Sequence, residues 1–212
     1  MEPTGHIEPQ VWMTRVETRD VMSALAAGGR PARFVGGCVR DALLGRGVAD
    51  VDIATEEAPD RVLELLQAAG LRGLPTGIEH GTITAISGGV AHEVTTLRRD
   101  SETDGRHATV AFTDDWEADA ARRDFTFNAL YADADGTLYD PVGGLADARA
   151  GRVRFVGDAR MRIAEDVLRL LRYFRFYAHY GRSGPDEQAL AACREMAPRL
   201  SSLSAERVWS EL

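Results

Sequence analysis

Asp50 and Asp52 stand one residue apart in DVDIAT, residues 50–55, and that spacing raises the first chemical expectation. On a strand, residues two apart point to one face and lie roughly 6 to 7 Å apart at Cα, so the two carboxylates project together and can grip a cation. Val51 and Ile53 alternate with them and are expected in the core, which pins the register and keeps the acids on the open side. Magnesium is commonly held by one or two carboxylates plus substrate phosphate, so a phosphate site is expected close by. Gly36-Gly37, in FVGGCVRDALLGR, suits that need. After a strand and at a helix N-terminus, backbone without side chains can approach an anion, and the free N–H groups and helix dipole favour its charge. Arg40, one turn further on, adds a charged fork. The stretch reads as a device for metal-bound triphosphate. Singly, each part also has an ordinary reading, a solvated acid pair or a simple turn. The Gly-Lys-Ser/Thr ending of a Walker A loop is missing.

The elements that must position these residues alternate helix and strand up to about residue 156 and are helical beyond it, so the fold class expected is α+β. Val11 to Ala27 reads as a helix stopped by Gly28-Gly29, RFVG as a strand, and Cys38 to Leu44 as a helix closed by Gly45. Pro59 to Ala69 is amphipathic. GTITAIS and HEVTTL read as strands paired through Gly88-Gly89. The polar stretch from Arg98 to Asp115 reads as a mobile loop, and LYDPVGG as a turn. In RIAEDVLRLLRYFRFYA the spacing predicts one helix. Ile163, Val167, Leu170, Leu171, Phe174 and Ala178 form its apolar stripe, and Asp166, Arg169, Arg172 and Arg175 wind across the opposite face. Three arginines to one aspartate are too one-sided for simple pairing. Ser204 reads as an N-cap. His80 and His92 are expected to be structural, and Trp116 and Trp209 to pack.

Composition narrows the function classes. Twenty-five Lys+Arg against 33 Asp+Glu give a net charge of −8 over 212 residues, which argues against a broad basic field for nucleic acid and makes any RNA contact local. Two cysteines build no disulfide framework, and no apolar run suggests a leader or membrane span. A reduced, cytoplasmic protein with no membrane partner is expected, its oligomeric state left open.

The string GGCVRDALLGR followed at short distance by DVDIAT resembles the head-domain signature of the class II tRNA nucleotidyltransferases, the CCA-adding enzymes, and of the related bacterial poly(A) polymerases. Both belong to the DNA polymerase beta-like nucleotidyltransferases. The likeness continues in HGTITAI and HEVTTLRRD, in ARRDFTFNALYAD, in YDPVGGLADARAGRVRFVGD, in RIAEDVLRLLRYFRF with its E-D-x-x-R core, and in LSAERVWSEL. It implies a catalytic head over 1–156 and a helical, nucleotide-selecting neck over 157–212, cut short before the body and tail of other members. It implies Glu93 as a third catalytic carboxylate beside Asp50 and Asp52, and it makes Arg98 to Asp115 similar to the family's flexible loop tied to adding the final A, with Asp104 to His107 either its hinge or lever or simply disordered. Arg123 becomes a triphosphate or ribose contact with Asp124 and Asn128 shaping the site, Asp166 and Arg169 the readers of the incoming base, and Arg172 and Arg175 supports for the nucleotide or its phosphates. A carboxylate that only accepts and a guanidinium that only donates match the amine and ring acceptor of cytosine or adenine, and reject uracil and guanine.

The activity so implied is template-independent addition of CCA to the 3′ end of tRNA from CTP and ATP, with two Mg²⁺ ions held by the carboxylates and an in-line displacement that releases pyrophosphate. Poly(A) polymerase, or an enzyme adding only CC or only A, is the alternative within the class. Outside it stands a nucleotide-binding head fragment that needs a partner.

Overall fold

Alternating residues on the hairpin at 82–96 bury Ile83, Ala85, His92 and Val94 and leave Thr84 and Glu93 on the opposite side. In the computed structural model, which describes residues 1–99 and 111–212, this hairpin belongs to an α+β fold. The elements are β1 (Gly5–His6), α1 (Val11–Thr14), α2 (Val16–Ala26), β2 (Ala32–Val35), α3 (Gly37–Leu43), β3 (Asp52–Thr55), α4 (Pro59–Ala68), β4 (Arg72–Gly77), β5 (Thr82–Ser87), β6 (Val90–Thr96), β7 (Arg98–Arg99), β8 (Ala111–Phe112), α5 (Trp116–Ala121), β9 (Tyr131–Ala132), β10 (Thr137–Tyr139), α6 (Gly144–Ala150), α7 (Ala159–Glu165), α8 (Leu168–Tyr180), α9 (Glu187–Met196) and α10 (Ala205–Trp209). Eight strands form one sheet in the order β1-β10-β9-β2-β3-β6-β5-β4. Only β3 and β6 run parallel in it. Helices α2 and α4 pack against its buried side, closing over Ile53, Ile83 and Val94. No helix among the described residues is long and apolar enough to cross a membrane.

The chain divides into two compact units, Met1–Arg122 with Leu130–Pro141 and Arg123–Ala129 with Val142–Leu212. The division does not fall at 156. Phe125 and Phe127 draw 123–129 into the second unit, because their rings meet Phe155, Tyr173, Phe176 and Tyr180 at centroid distances of 4.7 to 6.3 Å. Thr126 also donates its hydroxyl to buried Asp147 on α6 at 2.7 Å.

Several local expectations change. The helix from Val11 breaks at Arg15, whose ψ of 148° is extended, and this lets Trp12 and Met13 as well as Val21 and Leu25 reach the core while Val16 faces out. The ends of the expected loop at 98–115 are not irregular, since Arg98–Arg99 pair with Ala111–Phe112. Asp104 to His107 lie outside the described residues. Leu138 and Tyr139, read as part of a turn, are the end of β10. RIAEDVLRLLRYFRFYA is two helices, because Asp166 is extended at φ −147°, ψ 107° and its carboxylate accepts from the Leu168 N–H at 3.1 Å. The break shifts the phase. Tyr173 and Phe176 are buried in place of Phe174, which is 46% exposed, and Ala178. Trp116 packs as expected against Tyr131, but Trp209 does not, being 79% exposed.

Candidate active site and nucleotide-selecting residues

Three neighbouring strands set the acids of the first unit in a row. Asp52 on β3 stands in parallel register with Glu93 on β6, and Glu93 in antiparallel register with Thr84 on β5. Adjacent strands lie about 4.8 Å apart, so residues in register on one face are direct neighbours. Asp50 precedes the strand rather than lying within it, two residues before Asp52, and Val51 between them is buried. Asp50, Asp52, Glu93, Val51, Thr84 and Ala91 line one cleft of ≈ 490 Å³. Asp50 and Glu93 are exposed and have no ion-pair partner among the described residues. The predicted acids are therefore brought together, and β6 supplies the third.

The donor set suits a hard divalent ion. All three charged groups are carboxylates, with no thiol or imidazole aimed among them. No group of three or more His, Cys, Asp or Glu among the described residues forms a preassembled metal cage.

Gly36 and Gly37 stand at the same end of the sheet. Strand β2 runs antiparallel to β3 with Phe34 opposite Ile53, so the chain leaves β2 beside Asp52. Gly36 caps α3 at φ 72°, ψ −123°, a conformation that a side chain would strain, and a Cβ at Gly37 would meet nothing nearer than Arg40 Nη2 at 3.7 Å. Cys38 ties the turn down, with its thiol 3.3 Å from the Val35 carbonyl and 3.7 Å from that of Asp52. Burial, helped by the Asp52 charge, pushes this thiol up to about 12, so it stays protonated and donates. Sequence reasoning missed Cys38, for which the only signal was an apolar position next to the glycines. Arg40 is buried and forks onto Asp41, from Nε to Oδ1 at 3.0 Å and from Nη2 to Oδ2 at 2.9 Å. Its guanidinium is thus oriented by its neighbour in the chain.

The second unit holds the remaining predicted residues, each fixed by a partner. Asp124 accepts from the Phe125 N–H at 2.8 Å, from Asn128 Nδ2 at 3.0 Å, and from Arg172 at 2.8 Å through Nε and 2.7 Å through Nη2. Arg123 donates from Nη1 to the Asn128 carbonyl at 3.5 Å. Arg172 also meets Glu211 at 3.3 Å, and Arg175 meets the same carboxylate at 2.6 Å. Burial works against the Arg172 charge, but Asp124 and then Glu211 outweigh it and raise its pKa. Arg169 pairs with Glu165 and donates to the Arg162 carbonyl at 3.1 Å. Asp166 takes Arg207 Nη2 on both oxygens, at 3.0 and 2.9 Å.

Glu165, Arg207 and Glu211 are the residues sequence reasoning did not single out here. Arg207 and Glu211 are four apart, so a helical turn puts them on one side, but their partners lie 36 to 41 residues upstream. Glu211 is 8% exposed and carries two arginines, which makes it a structural counter-ion rather than a surface acid.

Comparison with known proteins places the chain in a family. Residues 32–154 match the family model of the poly A polymerase head domain. The CCA tRNA nucleotidyltransferase 1, mitochondrial, of Danio rerio is 50% identical over 185 residues, 85% of this chain and 42% of the relative. The CCA-adding enzyme of Geobacillus stearothermophilus is 40% identical over 200 residues, 92% of this chain and 48% of the relative. Among solved structures, the Bacillus stearothermophilus CCA-adding enzyme in complex with CTP superposes with a TM-score of 0.81 at 37% identity, covering 90% of this chain and 45% of that one. A tRNA nucleotidyltransferase complexed with a primer tRNA and an incoming ATP analog gives 0.70 at 28% identity, covering 90% and 54%. The chain thus spans about half the length of the relatives it matches. With the acids on β3 and β6, the glycine turn before α3 and more than half its length under one family model, this chain belongs to the poly A polymerase head domain family.

Proposed function

We propose that the chain carries the catalytic and nucleotide-selecting residues of a tRNA nucleotidyltransferase that adds CCA from CTP and ATP. The observation that carries the reading is the row of Asp52 and Glu93, with Asp50 at its edge, opening on one cleft in which Asp50 and Glu93 have no ion-pair partner among the described residues. Those three carboxylates would hold Mg²⁺, which when bound activates the acceptor 3′-hydroxyl and neutralises the departing pyrophosphate. The Gly36-Gly37 backbone, free of side chains, lets phosphate oxygens approach beside Asp52, and Arg40 lies alongside it.

Base choice falls to the second unit in this reading. Asp166 and Arg169 sit at the start of α8, an acceptor and a donor held by Arg207 and Glu165. Cytosine and adenine present an amine to a carboxylate, whereas uracil and guanine present a carbonyl and leave the acid repelled and unsatisfied. Asp124, with Asn128 and Arg172, keeps Arg123 and its neighbours in one network for triphosphate or ribose contact. The CTP-bound and primer-bound relatives support both the nucleotide and the tRNA as partners.

The test is incorporation of labelled CTP and then ATP with Mg²⁺ on tRNA ending before its CCA, with all four nucleotides and an unrelated RNA as controls. Ordered C, C, A addition to tRNA alone is expected. Long A tails on any RNA would make the chain a poly(A) polymerase, and CTP binding without transfer would make it a nucleotide-binding module.

A further inference from the structure

Positive charge is distributed unevenly, and one place in the second unit holds more of it than the fold can use. All 25 cationic side chains are arginine. Twelve lie in the first unit against 23 Asp+Glu, and 13 in the second against 10, so the units carry −11 and +3. Six of the 13 arginines of the second unit are matched elsewhere in it. Arg160 pairs with Glu195, Arg162 and Arg169 with Glu165, Arg172 with Asp124 and Glu211, Arg175 with Glu211, and Arg207 with Asp166.

Four more surround Gly151. Arg149 lies in the last turn of α6, which Gly151 ends in the left-handed conformation at φ 64°. Arg152 and Arg154 follow and share Asp147, at 3.5 and 2.8 Å. Arg182 is brought to the same place by its backbone N–H, which donates to the Gly151 carbonyl at 2.9 Å. A Cβ at Gly151 would come within 2.6 Å of the Arg182 Cβ, so the close seat requires glycine. Of the four arginines gathered around this turn, two share one carboxylate and two pair with none among the described residues. Asp147 is 2% exposed and also accepts the Thr126 hydroxyl, which fixes it as an internal anchor. Arg149 and Arg182 are exposed and have no ion pair among the described residues, and the side chains of Arg152 and Arg154 are 53% and 42% exposed. The other acids near these loops, Asp158 and Asp186, cap α7 and α9 through backbone N–H groups.

We propose that Arg149, Arg152, Arg154 and Arg182 form a surface that binds the phosphodiester backbone of the RNA acceptor, separate in its residues from those that bind triphosphate or read the base. Like charges held together repel unless an anion joins them, and the guanidinium fork matches phosphate oxygens in pairs. Exposed groups spread around a helix end suit an extended polyanion, and phosphate contacts position a nucleic acid without reading its sequence. The surface answers the expectation that RNA contact on an acidic chain must be local. It rests on the reading that the acceptor is RNA, and the test keeps the two apart.

The test compares the full chain with the variant R149Q/R152Q/R182Q, leaving Arg154 to hold Asp147, and with R182E alone. Binding of a labelled tRNA lacking CCA, and of an unrelated RNA hairpin, is followed by anisotropy from 50 to 200 mM KCl, with CTP binding measured alongside. Losing three phosphate contacts is expected to flatten the salt dependence, so that wild type loses about 20- to 40-fold more affinity than the variant over that range. Both RNAs should weaken alike, with CTP affinity unchanged and R182E showing the same direction. Unaltered RNA affinity and salt slope in both variants, or no RNA binding by wild type, would overturn the surface. Absence of CMP transfer by a wild type whose RNA binding depends on these arginines would instead count against the activity and leave the surface standing.

Discussion

The two units treat their candidate acids in different ways. In the first, Asp50 and Glu93 face a cleft without an ion-pair partner among the described residues, in a unit whose charge is −11. In the second, every acid and arginine predicted to meet a nucleotide is tied to a protein group. Asp124 is tied to Arg172, Asp166 to Arg207, Arg169 to Glu165 and Arg175 to Glu211. The difference fits the roles proposed for the two sets. Carboxylates meant for a cation lose affinity if the protein has already neutralised them, whereas side chains meant to discriminate bases must be held in one geometry before the base arrives.

This contrast can be broken experimentally at both ends. The largest effect is expected from Asp52→Ala or Asp50→Ala, which should reduce nucleotide incorporation by about 10³-fold or more, since metal stabilisation contributes several kcal/mol to such a transfer. Thermal unfolding should barely change, because neither acid anchors the core, and substantial turnover in both variants would remove them from the metal site. Glu93→Gln should cost less, about 10- to 10²-fold, and raising Mg²⁺ should recover part of it; a loss indifferent to Mg²⁺ would make Glu93 structural.

Stability sharpens the other side. Asp124→Ala removes one of the two carboxylates that Arg172 meets, and Glu211→Ala removes the other together with the partner of Arg175. Breaking a buried pair costs about 3 to 5 kcal/mol, and with Arg172 and Arg175 about a third exposed the loss should be nearer 1 to 3 kcal/mol. That corresponds to a lowering of the unfolding temperature by about 2 to 12 °C for a chain of this size. Equal melting of wild type and both variants would contradict the role given to these pairs. Trp209→Ala is the smallest change, expected within about 0.5 kcal/mol since the ring is exposed.

What the sequence revealed and what it hid follow from the range of the interactions. The first-unit site was legible because its parts are close in the chain or periodic. Gly36, just past the end of β2, and Asp52, at the start of the adjacent β3, are 16 residues apart, and the alternation of Val51 and Ile53 fixes which way the acids point. Glu93 needed the family resemblance, since only the parallel pairing of β3 and β6 puts it opposite Asp52. The break at Asp166 was hidden because a carboxylate that bonds the backbone two residues on interrupts a helix whose apolar pattern runs on through it. The counter-ions Arg207 and Glu211 were hidden by distance in the chain. The transfer of 123–129 to the second unit depends on aromatic contacts that no local pattern encodes.

The account turns on dividing chemistry from choice, and one comparison tests it most directly: rates of CMP and UMP transfer to tRNA lacking CCA, at saturating Mg²⁺, for wild type, Asp52→Ala and Asp166→Ala. Wild type is expected to transfer CMP and reject UMP, Asp52→Ala to transfer neither while still binding CTP over UTP, and Asp166→Ala to keep transferring with the preference for CMP reduced. An Asp166→Ala enzyme as selective as wild type, or an Asp52→Ala enzyme that turns over but misreads the base, would contradict it.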